Sequence, residues 1–202
     1  MSGIENMFLE MGFSWTISKG LPYVLAILFG LILIFLFRKR FKKKAILKWV
    51  FRVTLLVIPF AGYFIYSPIY QGDFSNNSIV VERTVEYSEL TGRKLVVLSM
   101  PNCPFCYQSI ERMHQLKTRI PDAEIEFVVS SLVEDSSYIE WYQEKGGDDI
   151  TVRFADSAMA MSVLADGRFP TFILVDGDKP FKKWTNDGFG VVAMDEVELL
   201  LK

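Results

Sequence analysis

The stretch MPNCPFCYQS carries Cys103 and Cys106, and the chain has no other cysteine. Thiols three residues apart can close and reopen a disulfide, supply half of a metal site, or form a static cross-link. A structural zinc site takes four ligands, and the only histidine, His114, follows Cys103 by eleven residues. On a helix that is roughly 16 Å along the axis, so His114 is not expected to share a metal with Cys103. No metal and no cofactor are expected. A static bridge across so short a loop removes little chain entropy, which favours a redox role. Two soft thiolates also suit Cu(I). The eight methionines do not cluster around them, although Met159 and Met161 are neighbours.

The flanking residues say how such a pair would be held. KLVVLS (94–99) is a continuous apolar run of strand length, as a strand buried on both faces would be. From Pro104 to about Arg119, Ile110, Met113 and Leu116 recur at helical spacing, and Pro121 closes the segment. Pro104 suits a first helical turn, where its missing N–H costs nothing. Cys103 then opens the helix, where partial positive charge favours a thiolate. It is read as the exposed attacking sulfur, and Cys106, one turn on, as the resolving one.

Downstream, strands are read over 79–87, 124–131 and 150–154, with helices over 136–147 and 156–165. Strands at 170–176 and 179–185 form a hairpin at Gly177, with Pro180 on an edge, before a last helix over 194–202. Alternation of this kind gives an α/β class with a mixed central sheet covered on both faces. No internal repeat and no Gly-rich phosphate loop occurs.

A buried strand, CPFC at a helix start, and RFPTFILVD some 65 residues later resemble the thioredoxin superfamily. VEYSELTGRKLVVLSMPNCPFC is similar to the opening of membrane-tethered, extracytoplasmic thiol–disulfide oxidoreductases of bacteria, the TlpA-like group. The likeness covers roughly 79–202. It implies a thioredoxin-like sheet and thiol–disulfide exchange on protein substrates, with Cys103 and Cys106 catalytic. It also implies a cis peptide at Phe169–Pro170 facing the disulfide. Phe169 and Pro170, with Pro104 and Phe105 between the sulfurs, would contact the substrate, whose extended backbone could pair beside Phe169. One departure stands out. Many members carry a buried acid six residues before the first cysteine, and that position here is Val97. Proton transfer at Cys106 would then use water or a distant group such as Glu111 or Asp166. A redox-inert interaction module of the same fold stays open beside the enzyme, with a Cu(I) chaperone as a third reading.

The front of the chain differs in kind. Residues 1–66 hold nine Lys or Arg against two acids, Glu5 and Glu10, whereas 67–202 hold thirteen against twenty-two. The acidic rear has no excess positive charge for phosphates, so no nucleic-acid partner is expected. Leu21 to Phe37 is uncharged over 17 residues, and Ile46 to Tyr66 is broken only by Lys48 and Arg52 near its start. Both are long enough to span a bilayer, the second with basic side chains that can snorkel. The layout is an N-terminal tail (1–20), a two-helix anchor (21–66) with a basic loop (38–45), a linker (67–78) and the thioredoxin-like domain (79–202). The positive-inside rule puts the loop in the cytoplasm. The expected location is a bacterial inner membrane, multi-pass, with the domain on the periplasmic side, where disulfides persist. The spans contain no cysteine, so electrons must pass to or from a separate redox partner.

Overall fold

The computed structural model describes residues 2–37, 45–70 and 72–202. The charged stretch of the basic loop, 38–44, lies outside them. The chain forms two compact units, Met1–Tyr70 and Gln71–Lys202.

The first unit has three helices: α1 (Gly3–Glu10), α2 (Trp15–Phe37) and α3 (Ala45–Tyr66). Helix α2 begins inside the segment read as a tail, because Ser14 accepts a hydrogen bond from the Ile17 amide and caps it. Its 23 residues would extend about 34 Å at 1.5 Å per residue. Two helices, Trp15–Phe37 and Ile46–Tyr66, are long and apolar enough to cross a membrane. They pack closely at Gly30, where an added Cβ would stand 3.0 Å from the Leu55 carbonyl oxygen and the Leu56 Cα. Their large apolar side chains face outward, among them Leu25, Leu28, Ile32 and Phe35 on α2 and Val53, Val57 and Phe64 on α3.

The second unit is a six-stranded sheet in the order β1-β6-β5-β2-β3-β4. Its strands are β1 (Ile79–Val81), β2 (Arg93–Ser99), β3 (Glu124–Val129), β4 (Thr151–Phe154), β5 (Thr171–Asp176) and β6 (Phe181–Thr185). Helices α4 (Pro104–Arg119), α5 (Ser136–Gly146), α6 (Ala158–Leu164) and α7 (Val191–Leu201) flank it. Strands β2, β3 and β4 run parallel, while β5 is antiparallel to β2 and to β6, and β6 to β1. A β2–α4–β3 crossover followed by the β5–β6–α7 hairpin and helix is the thioredoxin-like arrangement expected from the sequence.

Residues 94–99 of β2 are all buried, so the strand is covered on both faces. Val96 and Leu98 join Val128, Ile173 and Val175 in one cluster with Met161 and Leu164 of α6. The opposite face holds Phe127 against Tyr142 of α5, and Phe172 stacked on Phe189 at 3.9 Å. This alternation is the two-residue period of a strand.

In this unit two elements differ from the sequence reading by three residues or more. The strand read over 79–87 stops at Val81, which pairs with Phe181, the first residue of β6. Behind Phe181 stands Pro180, which has no N–H to extend the ladder. The chain instead turns through a 3-10 helix, Val85–Tyr87, that buries Tyr87. Helix α7 starts three residues earlier than read, at Val191, because Gly190 lies so close to the backbone of Gly72 and Asp73 that no Cβ would fit.

Several carboxylates titrate low here. The side chain of Asp135 accepts from the Ser137 amide at the start of α5, Asp176 from Lys179, and Asp187 from the Thr185 hydroxyl, and each is held below the ordinary carboxylate value. A lowered native pKa means the unfolded chain binds the proton first as pH falls. Their stabilisation is therefore complete above the unfolded value near pH 4 and is lost as pH drops through the native values. The denaturant midpoint of the full chain is expected to hold steady from pH 7 to 5 and fall below about pH 4. Asp135→Asn should flatten part of that decline.

Candidate functional site at the start of helix α4

Helix α4 begins where β2 ends, and the connection is tight. Asn102 takes a left-handed conformation, φ 56°, which Asn tolerates better than most residues. That turn sets Cys103 as the residue capping α4, with Pro104 in the first turn. The Cys103 Sγ accepts a hydrogen bond from the Cys106 amide at 3.1 Å, and the two cysteines form a disulfide with their Cα atoms 5.2 Å apart. Among the described residues no cysteine is free.

The two sulfurs are not equivalent. Cys106 is 0 % exposed and Cys103 7 %, so both are buried and only Cys103 keeps any exposed surface. Pro104 and Phe105 between them are exposed, Phe105 by 60 %. Six residues after Cys103 on α4, buried Ser109 donates its hydroxyl to the Cys106 carbonyl at 2.6 Å.

Strand pairing brings a second segment to the same end of the sheet. Thr171, the first residue of β5, pairs with Leu98 near the end of β2. Pro170 therefore sits at the end of β2 from which the CPFC loop departs. The Phe169–Pro170 peptide is cis, as the resemblance implied. The Phe169 side chain is half-buried against the core cluster.

His114 stands apart from the sulfurs and bonds the Lys145 carbonyl at 3.0 Å. Asp166 pairs with Lys183 at 2.6 Å, and Glu111 is exposed on α4. The carboxylates buried in this unit are also in ion pairs: Glu89 and Glu126 with Arg153, and Glu198 with Arg119. No group of three or more His, Cys, Asp or Glu that could hold a metal occurs among the described residues.

Sequence reasoning missed Tyr142. Its side chain on α5 is fully buried and donates to the Met100 carbonyl at 2.8 Å, three residues before Cys103. Burial pushes its hydroxyl far above the ordinary phenol value, with Ser99 opposing weakly, so it remains a donor throughout the working pH range. Next to it Trp141 stacks on Tyr107 at 4.3 Å, and Lys145 donates to the Tyr107 carbonyl at 3.2 Å. Helix α5 thus braces both the entry to the CPFC turn and the first turn of α4. Tyr142→Phe leaves a carbonyl short of its donor, for an expected stability loss of about 1–3 kcal/mol. Urea melts check this, and faster alkylation of the reduced Cys103 would report the loosened turn.

Exposed apolar residues at this end of the sheet were also missed. Met100 follows β2, Leu132 and Val133 follow β3, and Met159 lies in the first turn of α6. Ser130 ties the end of β3 to that turn through the Ala158 carbonyl, at 2.7 Å. Two apolar residues in the otherwise polar SSLVED loop were the available signal, since sites in parallel sheets gather at the carboxyl ends of the strands.

No family model matches the chain, and no curated relative does. Among solved structures, it is similar to a secreted Mycobacterium tuberculosis disulfide oxidoreductase homologous to E. coli DsbE, at 16% identity over 56% of this chain and 84% of that one, TM-score 0.42. A second M. tuberculosis protein, dsbF, matches at 15% identity over 57% and 84%, TM-score 0.44. A putative electron transfer protein from Aquifex aeolicus matches at 15% over 66% and 99%, TM-score 0.42. Likeness at this level assigns no chemistry to this chain.

Proposed function

We propose that this chain is a membrane-anchored thiol–disulfide oxidoreductase that acts on extracytoplasmic proteins through Cys103 and Cys106. The observation that carries the reading is the asymmetric disulfide at the start of α4, with Cys103 slightly exposed and Cys106 fully buried. In the reduced protein the Cys106 amide, which already donates to the Cys103 sulfur, and the partial positive charge of the helix start favour its thiolate. That thiolate attacks one sulfur of a substrate disulfide. The substrate S–S bond breaks, a mixed disulfide forms, and the other substrate sulfur leaves as a thiolate. Cys106 then gives its proton to water and attacks the Cys103 sulfur, which releases the second substrate thiolate and restores the Cys103–Cys106 bond. Two electrons pass from protein to substrate, and the reverse sequence donates a disulfide. Pro104, Phe105, Phe169 and Pro170 line the approach of the substrate chain.

Helices α2 and α3 anchor the domain in a bacterial inner membrane, and the basic 38–44 segment places its outer face on the periplasmic side. Anchoring raises the effective concentration of the site near a membrane redox partner. The test is redox equilibration of the full chain in nanodiscs against glutathione buffers, with alkylation of the thiols. A two-electron transition near about −270 mV makes it a reductase and one near about −120 mV a disulfide donor. Failure to form or break the disulfide at any poise overturns the reading in favour of a binding module.

A further inference from the structure

Helix α1 belongs to a segment that sequence analysis left as a tail, yet it is built into the first unit by ionised groups turned inward. Ser2 and Glu5 form a capping box, in which the Ser2 amide donates to Glu5 Oε2 at 2.7 Å. This leaves Glu5 Oε1 for other partners. It lies 3.2 Å from Lys19 Nζ of α2 and accepts from the Ser67 hydroxyl at 2.6 Å and from Tyr63 of α3 at 3.2 Å. Lys19 also donates to Ser67 at 3.1 Å, and Tyr23 to the Ser67 carbonyl. Glu5 is fully buried and Lys19 nearly so. Burial opposes the charge on Glu5, but Ser67, the Ser2 amide and Lys19 outweigh it and hold the carboxyl below its ordinary value.

The outward surface of α1 is divided lengthwise. Ile4, Met7 and Met11 are exposed along one flank, at the i, i+3, i+7 spacing of a single face. Gly3 and Glu10 lie on the other outward flank, while Glu5, Phe8 and Leu9 point inward. In water this arrangement is inverted, with the charges inside and three large apolar side chains outside. It suits a helix lying at a boundary, one flank in hydrocarbon and the other in water. Beyond α1, Phe13 and Ile17 and then the outward side chains of α2 from Val24 onward are exposed too, and the Glu5–Lys19 pair holds α1 at the start of that helix. A bilayer that covers the apolar surface of α2 would have its boundary at this end, beside Ile4, Met7 and Met11.

We propose that α1 is a lipid-interface helix: its Ile4–Met7–Met11 flank is seated at the headgroup–acyl boundary of the bilayer that α2 and α3 cross, and the inward Glu5–Lys19 pair fastens it to them. This rests on the membrane reading given under Proposed function. It makes the anchor a three-helix unit with a floor in the outer leaflet instead of two bare spans.

The test is depth measurement by spin labels on the full chain in phosphatidylcholine–phosphatidylglycerol nanodiscs. Labels are placed at Met7→Cys, Glu10→Cys and Leu28→Cys, one at a time, in a Cys103→Ser/Cys106→Ser background. The expected result is a ratio of oxygen to aqueous-reagent accessibility several-fold higher at position 7 than at position 10, and highest at 28. Equal aqueous access at 7 and 10 with position 28 in lipid overturns the proposal and leaves the two spans intact. Aqueous access at 28 as well overturns the membrane reading itself. Protection of position 7 only in native membranes, with free aqueous access in nanodiscs, assigns the flank to a protein partner and also overturns the proposal. In the Lys19→Met variant, the loss of the fastening pair should bring the ratio at position 7 toward that at position 10.

Discussion

Cys103→Ser is expected to bring thiol–disulfide exchange by the full chain down to the uncatalysed rate, while Cys106→Ser is expected to accumulate mixed disulfides with substrate proteins. Both follow from the difference in burial. Cys103 is the cysteine that keeps some exposed surface, and it caps α4 beside the Cys106 amide. Without it, the remaining thiol at position 106 is sealed inside the unit and cannot meet a substrate sulfur. The reciprocal variant keeps the attacking thiolate and loses only the group that resolves the adduct, so the first step proceeds and the second stalls. Non-reducing gels of membranes carrying Cys106→Ser should therefore show substrate adducts that dithiothreitol releases and that Cys103→Ser never forms. Retained exchange in Cys103→Ser would remove the catalytic assignment altogether. If the doubly substituted chain restores the phenotype of a deletion strain, the domain is an interaction module with an inert bridge.

The legible part of this site was local. Cys103, Pro104 and Cys106 sit within four residues, and a strand before and a helix after them follow from apolar run length and helical spacing. What brings Pro170 to the same end of the sheet is the pairing of β5 with β2, which no window of sequence contains. Tyr142 was illegible for the same reason. A tyrosine on an amphipathic helix reads as core packing, and only the tertiary structure shows its hydroxyl on the Met100 carbonyl. The over-long first strand has a different cause. Ile79 to Tyr87 has the right residue types throughout, but the ladder depends on its partner, and β6 offers none beyond Phe181. Glu5 was read simply as one of two acids in a basic segment. Its role emerges only when Lys19, Tyr63 and Ser67, from two other elements, converge on it.

The largest stability effect is expected outside the CPFC turn, at Arg153. Its guanidinium joins Glu126 on β3, at 2.6 Å, to Glu89 in the loop before β2, also at 2.6 Å. Glu126 is in turn 2.7 Å from Lys94 of β2. The side chains of Glu89, Glu126 and Lys94 are all under a tenth exposed. Arg153→Met removes the bridging cation, leaving buried Glu126 with Lys94 and buried Glu89 with only the Asp156 amide. Breaking a buried pair from one side costs about 3–5 kcal/mol, because the remaining charge is desolvated without compensation. A chemical melt should show this as a lower midpoint at an unchanged slope. Glu126 is level with Val96, three residues before the end of β2 and about 10 Å along the strand from the CPFC turn, and Arg153 lies two strands away on β4. The exchange rate per folded molecule is therefore expected to stay at the wild-type value under native conditions. Adding Glu89→Gln and Glu126→Gln to Arg153→Met neutralises the stranded charges and should recover part of the loss. A fall in exchange rate without a fall in stability would instead place this network in the redox chemistry, and would make Glu126 the first candidate for the proton carrier that Val97 cannot be.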